Sequence, residues 1–154
     1  MSQENSYYPI FIDLAQRSCL VVGGGAVAWR KIEGLLNCGA QVTVVAPAYL
    51  AEIKKAATAG RITLKGRIFA QTDLDDIFLV YAATDNLDVN AEILNLSRKR
   101  GVLAAAVDKN WVNGDFITPA RFTHAGVTVA VSSDGESCCR SRDVKNQLQC
   151  FLKG

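Results

Sequence analysis

The sequence lacks the segments that mark exported or membrane-spanning proteins. No apolar run approaches the roughly twenty residues that a transmembrane helix needs, and residues 1–6 form neither a basic nor an apolar stretch. The net charge is only +2 over 154 residues, which is too little to indicate a nucleic-acid partner. With 49% hydrophobic and 21% charged residues, the composition is that of a globular domain. We therefore expect a globular protein with no export signal and no membrane or nucleic-acid partner.

Histidine and paired-cysteine motifs are also scarce. The single histidine, His124, cannot form a metal site by itself, and its polar surroundings favour an exposed loop position. The five cysteines include no C-x-x-C motif; Cys19 and Cys38 fall in a predicted strand and helix, where each would be buried as a small apolar residue. The adjacent Cys138 and Cys139 give no basis for a metal or redox role. An odd number of cysteines in this pattern indicates reduced thiols and a cytoplasmic protein.

A glycine-rich turn between an apolar strand and a helix is the most informative motif. The segment from Cys19 reads Cys-Leu-Val-Val-Gly-Gly-Gly-Ala-Val-Ala, and it matches the G-x-G-x-x-G/A dinucleotide-binding fingerprint. Gly23 allows the tight turn, Gly25 lets backbone N–H groups approach a diphosphate, and Ala28 packs the helix on its strand. The helix N-terminus then offers hydrogen-bond donors and a partial positive charge to phosphate groups. A purely structural turn is the alternative, because glycine turns after strands are common.

The residues after the turn complete a βαβ unit of about thirty residues. Apolar residues recur at helical spacing in residues 26–38, Gly39 suits a helix C-terminus, and residues 41–46 form a β-branched strand. One part of the fingerprint is missing, since Ala46 stands where a carboxylate normally binds the ribose 2′-hydroxyl. Backbone groups must then hold the ribose, and sequence chemistry alone does not decide between NAD and NADP.

Strands and helices alternate along the rest of the chain. Predicted strands span residues 8–14, 61–68, 78–83, 102–107, 115–119 and 127–131, and predicted helices span residues 49–59 and 87–100. This alternation indicates an α/β fold with a doubly wound parallel sheet, in which the apolar run 78–83 is a central strand. Residues 8–14 are placed at the sheet edge, where Pro9 is tolerated. We expect one such domain over residues 1–136, followed by a short C-terminal helix in residues 137–154.

Polar residues follow several of the predicted strands. These are Thr84, Asp85, Asp108, Ser132 and Ser133, and they should converge with the glycine turn because ligands of such sheets bind outside the carboxyl ends of the strands. Asp108 suits a general base, or an anchor for a metal or a substrate N–H; a loop carboxylate that caps the following turn is an equal alternative. Helix capping alone explains Asp85. Ser132 and Ser133 suit phosphate or carboxylate binding, since no Ser-His-Asp context is present.

A series of motifs occurs in a fixed order along the chain. They are Tyr8-Pro-Ile-Phe, the glycine turn followed by Arg30-Lys31, Ala82-Ala-Thr-Asp85, Val107-Asp108, Asp115-Phe-Ile-x-Pro119 and Val129-Ala-Val-Ser-Ser133. Together they closely resemble the precorrin-2 dehydrogenase/sirohydrochlorin ferrochelatase family, the N-terminal module of siroheme synthases, over about residues 8–142. The resemblance implies a Rossmann-like fold and NAD⁺-dependent oxidation of precorrin-2 to sirohydrochlorin in siroheme biosynthesis. It also implies cytoplasmic homodimers and, in many members, insertion of Fe²⁺ into the product.

The resemblance further implies roles for individual residues. Asp108 occupies the position of the family's key aspartate, which makes it the candidate catalytic residue and the candidate metal contact. Ser133 matches a family serine and is a candidate substrate contact. Arg142 is a second candidate from its charge rather than from the resemblance, since it could receive an acidic substrate, although the acidic residues beside it favour a solvated face. The absence of a ribose carboxylate matches the family and is compatible with NAD. The cofactor contacts that the resemblance implies are Gly23, Gly24, Gly25, Ala26, Val27, Pro47 and Ala48. Thr84 and Asp85 are added as candidates because they follow a predicted strand.

Two departures from the family pattern bear on activity. The usual Ser-Ser-Gly-Gly-x-Ser-Pro reads Ser-Ser-Asp-Gly-Glu-Ser-Cys in residues 132–138, which loses one glycine and the proline. The family's helical C-terminal domain is nearly absent, since residues 137–154 supply one short helix with an apolar stripe at Val144, Leu148 and Leu152. We expect this helix to contribute to a homodimer, because exposed apolar surface marks interfaces. The alternative function is a non-catalytic NAD-binding regulatory or partner subunit.

Overall fold

The computed structural model describes residues 7–153, and the chain divides into two compact units. One unit is Phe11–Phe116; the other combines the residues up to Ile10 with those from Ile117 onward. The division at residue 116 differs from the predicted domain boundary at residue 136. Residues 1–6, where the absence of an export signal was expected, and residue 154, which ends the predicted C-terminal segment, lie outside the described part.

The unit Phe11–Phe116 is built on a five-stranded parallel sheet, which confirms the predicted fold class. Its strand order is β3-β2-β1-β4-β5, so the strands wind outward from β1 in both directions. The strands are β1 (Ser18–Val22), β2 (Gln41–Val45), β3 (Thr63–Lys65), β4 (Leu79–Ala82) and β5 (Leu103–Ala106); the helices are α1 (Ala26–Leu36), α2 (Ala51–Thr58) and α3 (Leu87–Arg100).

Helices cover both faces of this sheet, because each central strand is apolar on both sides. On one face Val21 and Val44 pack with Ile32 of α1 and with α2. On the other face Leu20 and Val80 pack with α3. Burial on both faces explains why these strands read as continuous apolar runs rather than as alternating ones.

Local signals set the helix ends. The side chain of Asn86 accepts hydrogen bonds from the N–H groups of Asp88 and Val89 at the start of α3, and Gly101 ends that helix at φ 69°. Gly39, at φ 74°, follows α1 and donates its N–H to the Leu36 carbonyl. The predicted helix at residues 49–59 is shorter in the structure, since α2 is Ala51–Thr58.

Two predicted strands of the parallel sheet are absent from the described residues. Residues 8–14 are irregular, with Tyr8 and Phe11 largely exposed, so the apolar residues there do not form a buried strand face. Residues 115–119 are also irregular. Asp115 instead closes the open edge of β5: its N–H donates to the Ala104 carbonyl over 2.7 Å, and its carboxylate accepts the Ala104 N–H over 2.9 Å. These two bonds satisfy the backbone N–H and carbonyl of Ala104 on that edge without a further strand.

The second unit holds an antiparallel hairpin and one helix. Strand β6 (Ala120–His124) pairs with β7 (Val127–Val131), and helix α4 spans Cys138–Lys153. The prediction that residues 127–131 extend the parallel sheet is wrong, because only Ala125 and Gly126 connect the two strands. Both have positive φ, 48° and 78°, which suits a tight hairpin turn, whereas a parallel crossover needs a dozen or more residues. His124 lies in β6 opposite Val127, so its predicted loop position is also wrong.

An ion cluster around Asp73 joins β3 to the segment that follows it. The Asp73 carboxylate, with 1% of its side chain exposed, accepts hydrogen bonds from Lys65 Nζ at 2.9 Å and from Arg67 Nη1 and Nη2 at 2.7 and 2.6 Å. The Ala70 N–H donates to the same carboxylate. The Arg67 guanidinium, with help from Ala70 and Lys65, holds the pKa of Asp73 well below its usual range.

We predict that Asp73→Asn lowers the free energy of unfolding at pH 7 by about 2 kcal/mol, the order expected for hydrogen bonds to a charged group. A carboxylate with a lowered folded-state pKa stabilises the fold above its unfolded pKa, and that contribution fades as pH falls below about 4. Urea unfolding at pH 7 and at pH 3 should therefore show a wild-type advantage that narrows at the lower pH. Asp75→Asn is the control, since Asp75 pairs with Arg100 on the surface. An equal loss for both variants would contradict the account.

Candidate functional site

The carboxyl ends of the parallel strands gather the predicted cofactor residues of the first unit. The glycine turn follows β1, Ala46 to Ala48 follow β2, Thr84 and Asp85 follow β4, and Asp108 follows β5. All these strands run in the same direction in one sheet, so their carboxyl ends form one edge. Ligands of doubly wound sheets bind at this edge.

Two of the three glycines are required by the protein's own packing. Gly23 lies at φ 133°, and a Cβ there would overlap the carbonyl oxygen of Ala83. A Cβ at Gly24 would overlap the Ala48 carbonyl oxygen and the backbone of Tyr49. Gly23 and Gly24 therefore let the turn fit between the end of β4 and the loop after β2.

Gly25 has no such requirement. Its φ is −85°, which suits any residue, and nothing lies within 4 Å of the position that a Cβ would take. Gly25, Ala26 and Val27 are exposed, whereas Ala28 is fully buried against the sheet. Packing within the fold thus explains Gly23, Gly24 and Ala28. It does not require a glycine at position 25, whereas the close approach of a ligand would.

The N-terminus of α1 fits a diphosphate. No side chain caps it, and its first turn holds no acidic residue. The first N–H groups of a helix have no partner within the helix, and they carry the positive end of its dipole. An anion can approach them here because Gly25 has no side chain in the way. The residues present therefore fit the diphosphate of a dinucleotide such as NAD.

The end of β2 differs from the usual ribose site. Ala46 is buried, its N–H donates to the carbonyl of Lys65, and Pro47 and Ala48 beside it are exposed. The neighbouring cations Lys65 and Arg67 are paired with Asp73 as described above. Residues 46–48 thus include no carboxylate, and the contact of backbone groups with a ribose stays a prediction.

The turn after β4 is fixed by Thr84 and Asn86. The Thr84 hydroxyl accepts the Asn86 N–H at 3.2 Å, and its oxygen lies 3.1 Å from the carbonyl oxygen of Asn86. Asn86, and not Asp85, caps α3, so the capping explanation of Asp85 is wrong. Asp85 is exposed on the carboxyl edge of the sheet.

Asp108 is joined to a residue that the sequence analysis missed. Its Oδ2 accepts a hydrogen bond from Asn90 Nδ2 at 2.7 Å, and its carbonyl accepts the Trp111 N–H at the start of a short 3₁₀ turn. Asn90 is fully buried on α3, on the same helix face as Ile93, Leu94 and Ser97. The helical spacing of α3 places Asn90 on the buried face, and a buried amide needs hydrogen-bond partners. That combination is the sequence signal that could have identified Asn90.

The candidate substrate residues belong to the second unit, which is described by itself. Ser133 donates its hydroxyl to the Ser137 carbonyl and accepts the Ser137 N–H, and the Ser141 hydroxyl donates to it over 3.0 Å. Ser132 accepts the Asp134 N–H. Because both serines follow the hairpin strand β7, the predicted reason for their convergence with the glycine turn no longer applies. Arg142 is mostly exposed, with its Nε 3.7 Å from the carboxylate of Asp143.

The grouping of the cysteine and acidic side chains bears on metal binding. Among residues 7–153, no three His, Cys, Asp or Glu side chains are grouped so as to hold a metal ion. Cys19 is fully buried, as predicted, and burial raises its pKa to about 11. Cys138, Cys139 and Cys150 are exposed free thiols. In the described part of the chain, no helix is long and apolar enough to cross a membrane.

Comparisons with known proteins identify a family of NAD(P)-binding proteins to which this chain is similar. Residues 10–120 match a family described as putative NAD(P)-binding. The chain is 41% identical to siroheme synthase 1 of Serratia proteamaculans and 40% identical to siroheme synthase of Photobacterium profundum, in each case over 95% of its length. It spans only 30% and 31% of those two proteins.

A solved structure shows that this similarity extends to the fold. SirC, a precorrin-2 dehydrogenase, superposes with a TM-score of 0.82 and is 33% identical, covering 94% of this chain and 71% of SirC. The chain therefore belongs to the NAD(P)-binding family that contains SirC and the corresponding segment of the siroheme synthases.

Proposed function

We propose that this protein oxidises precorrin-2 to sirohydrochlorin with NAD⁺ as the oxidant. The observation that carries the proposal is that one sheet edge combines the open helix N-terminus at Gly25 with the carboxylate of Asp108. The likeness to SirC and the siroheme synthases supports the choice of substrate. The same likeness supports a cytoplasmic protein of siroheme biosynthesis.

Different residues of the chain hold different parts of the cofactor. The N–H groups at Gly25, Ala26 and Val27 bind the diphosphate, while backbone groups at Pro47 and Ala48 contact the ribose. Gly23 and Gly24 hold the turn in place, and Thr84 with Asp85 borders the site on the β4 side. Bound NAD⁺ supplies the acceptor for a hydride. Most of the protein's contribution is orientation, since the product macrocycle is more conjugated than the substrate.

Asp108 takes the proton that accompanies hydride loss. Oxidation removes two hydrogen atoms from precorrin-2: one leaves as hydride, which gives NADH, and one leaves as a proton. A carboxylate at the end of β5 is suited to accept that proton and to release it to water. Ser133 and Arg142 remain proposed contacts of the acidic substrate. No observation favours Asp108 as a ligand for Fe²⁺, so insertion of Fe²⁺ as a second substrate is not part of this proposal.

The cofactor site is tested by Gly25→Asp. We expect this variant to fold at least as well as wild type, because the backbone there suits any residue and an aspartate is a good helix N-cap. Its carboxylate would face the diphosphate, so the Kd for NAD⁺, measured by calorimetry, should rise at least tenfold. Gly34→Asp makes the same change in the middle of α1, where a side chain also meets no atom within 4 Å, and it should bind NAD⁺ as wild type does. Equal NAD⁺ affinity in both variants would refute the site.

The role of Asp108 is tested by Asp108→Asn. Turnover, followed by the absorbance of sirohydrochlorin, should fall by roughly a hundredfold or more, as is typical of losing a positioned acid–base group. The Kd for NAD⁺ should change less than twofold, because the glycine turn is untouched. His124→Ala is the control and should retain wild-type turnover. Wild-type turnover in Asp108→Asn would disprove the role, whereas NAD⁺ binding by a wild-type protein without turnover would favour the non-catalytic partner subunit.

We further propose a homodimer formed through α4. The stripe of Val144, Leu148 and Leu152 is 39 to 43% exposed, which is unusual for one side of a helix in a monomer. Leu148→Asp should therefore shift the protein from dimer to monomer in sedimentation at micromolar concentration. Asn146→Asp, on the other side of α4, should leave the dimer intact. A monomeric wild-type protein would contradict the proposal.

A further inference from the structure

We infer that Asn90 is the positioning residue of Asp108, and this inference rests on the proposed function. Asn90 is the one fully buried amide of the described residues. It lies on α3, yet its side chain reaches the ends of two neighbouring strands. It bonds to Thr84 after β4 and to Asp108 after β5.

The hydrogen bonds of Asn90 use its whole amide group. Oδ1 accepts the N–H of Thr84 at 3.2 Å and the hydroxyl of Thr84 at 2.7 Å. Nδ2 donates to the carbonyl of Thr84 at 2.9 Å and to Oδ2 of Asp108 at 2.7 Å. An amide has two donor hydrogens and an oxygen with two lone pairs, so these bonds satisfy it completely.

The orientation of the amide follows from its partners. The backbone N–H of Thr84 can only donate, which requires the oxygen of Asn90 on that side. The NH₂ group must then point toward Asp108. Asn90 therefore presents a donor to Asp108 Oδ2, and that oxygen must act as an acceptor.

A buried anchor matters because Asp108 lies just beyond the end of its strand. A carboxylate on a half-buried loop can adopt several side-chain rotamers, and a proton acceptor must lie within hydrogen-bond distance of the proton that it removes. The bond from Asn90 holds Asp108 to a rigid helix and to the end of β4. The amide adds no charge and does not titrate in the working range of pH, so Asn90 does not take the transferred proton from Asp108.

The isosteric change Asn90→Asp distinguishes positioning from simple packing. The new carboxyl keeps the acceptor for the N–H and hydroxyl of Thr84 but loses the donor to the Thr84 carbonyl, and it can donate to Asp108 only while it holds a proton. Two carboxyl groups at this distance share a proton, because both cannot readily ionise side by side. The charged residues nearest in sequence, Asp85, Asp88 and Lys109, are exposed and the same in both proteins.

We expect the kcat of Asn90→Asp to approach the wild-type value at low pH. As the pH rises and the shared proton leaves, kcat should fall at least tenfold, a decline that the wild-type pH profile does not show. Asn90→Ala should lose at least tenfold in kcat at every pH, with the Kd for NAD⁺ within twofold of wild type. Ser97→Ala removes another buried polar group from the same face of α3 and should have wild-type kcat. Circular dichroism and NAD⁺ titration on the same samples establish that each variant is folded.

Several outcomes would overturn the inference. It fails if Asn90→Asp keeps the wild-type pH profile, if Asn90→Ala keeps wild-type kcat, or if kcat and NAD⁺ affinity fall together at all pH values. Asp108→Asn in the same assay distinguishes a failure of the proposed function of Asp108 from a failure of the positioning role of Asn90. If Asp108→Asn is fully active, the proposed function of Asp108 fails; if it is inactive while both Asn90 variants are normal, only the positioning role fails.

Discussion

The close approach of Gly23 to the carbonyl of Ala83 determines where helix α1 begins. Because Gly23 has no Cβ, the turn after β1 can lie against the end of β4, its neighbour in the sheet. The Gly23 N–H donates to Val45 at the end of β2, which fixes the turn from the other side. The start of α1 is thus held between β2 and β4. The carboxyl edge of the sheet is consequently bordered by the N–H groups of α1, by the loop after β2 and by the turn after β4.

Short-range signals were sufficient to predict most of the parallel sheet and the place of the glycine turn and of Asp108 at its carboxyl edge. The apolar runs of β1, β4 and β5 are buried on both faces, so their composition alone distinguishes them from amphipathic strands. Asn86 and Gly101 mark the ends of α3 through capping chemistry that acts within a few residues. The glycine turn and Asp108 follow strand ends directly, so their location on the edge was also predictable.

Long-range pairing was not predictable from the same signals. Val127–Val131 reads as one more buried strand, whereas the structure pairs it antiparallel with β6 through the two-residue turn at Ala125 and Gly126. Asp115 closes the edge of β5 with its side chain, which a strand pattern does not reveal. Asn90 was missed because its partners lie six and eighteen residues away. Its importance depends on which strand ends the fold brings next to α3.

The central claim is that the carboxyl edge of the parallel sheet binds NAD⁺ through the start of α1. A titration of ¹⁵N-labelled protein with NAD⁺, followed by ¹H–¹⁵N NMR, tests it most directly because each backbone N–H reports separately. The account predicts that the largest shifts occur at Gly25, Ala26 and Val27, with smaller ones at Ala48 and Thr84. Shifts confined to the hairpin β6–β7 and helix α4, or no shifts at saturating NAD⁺, would contradict it.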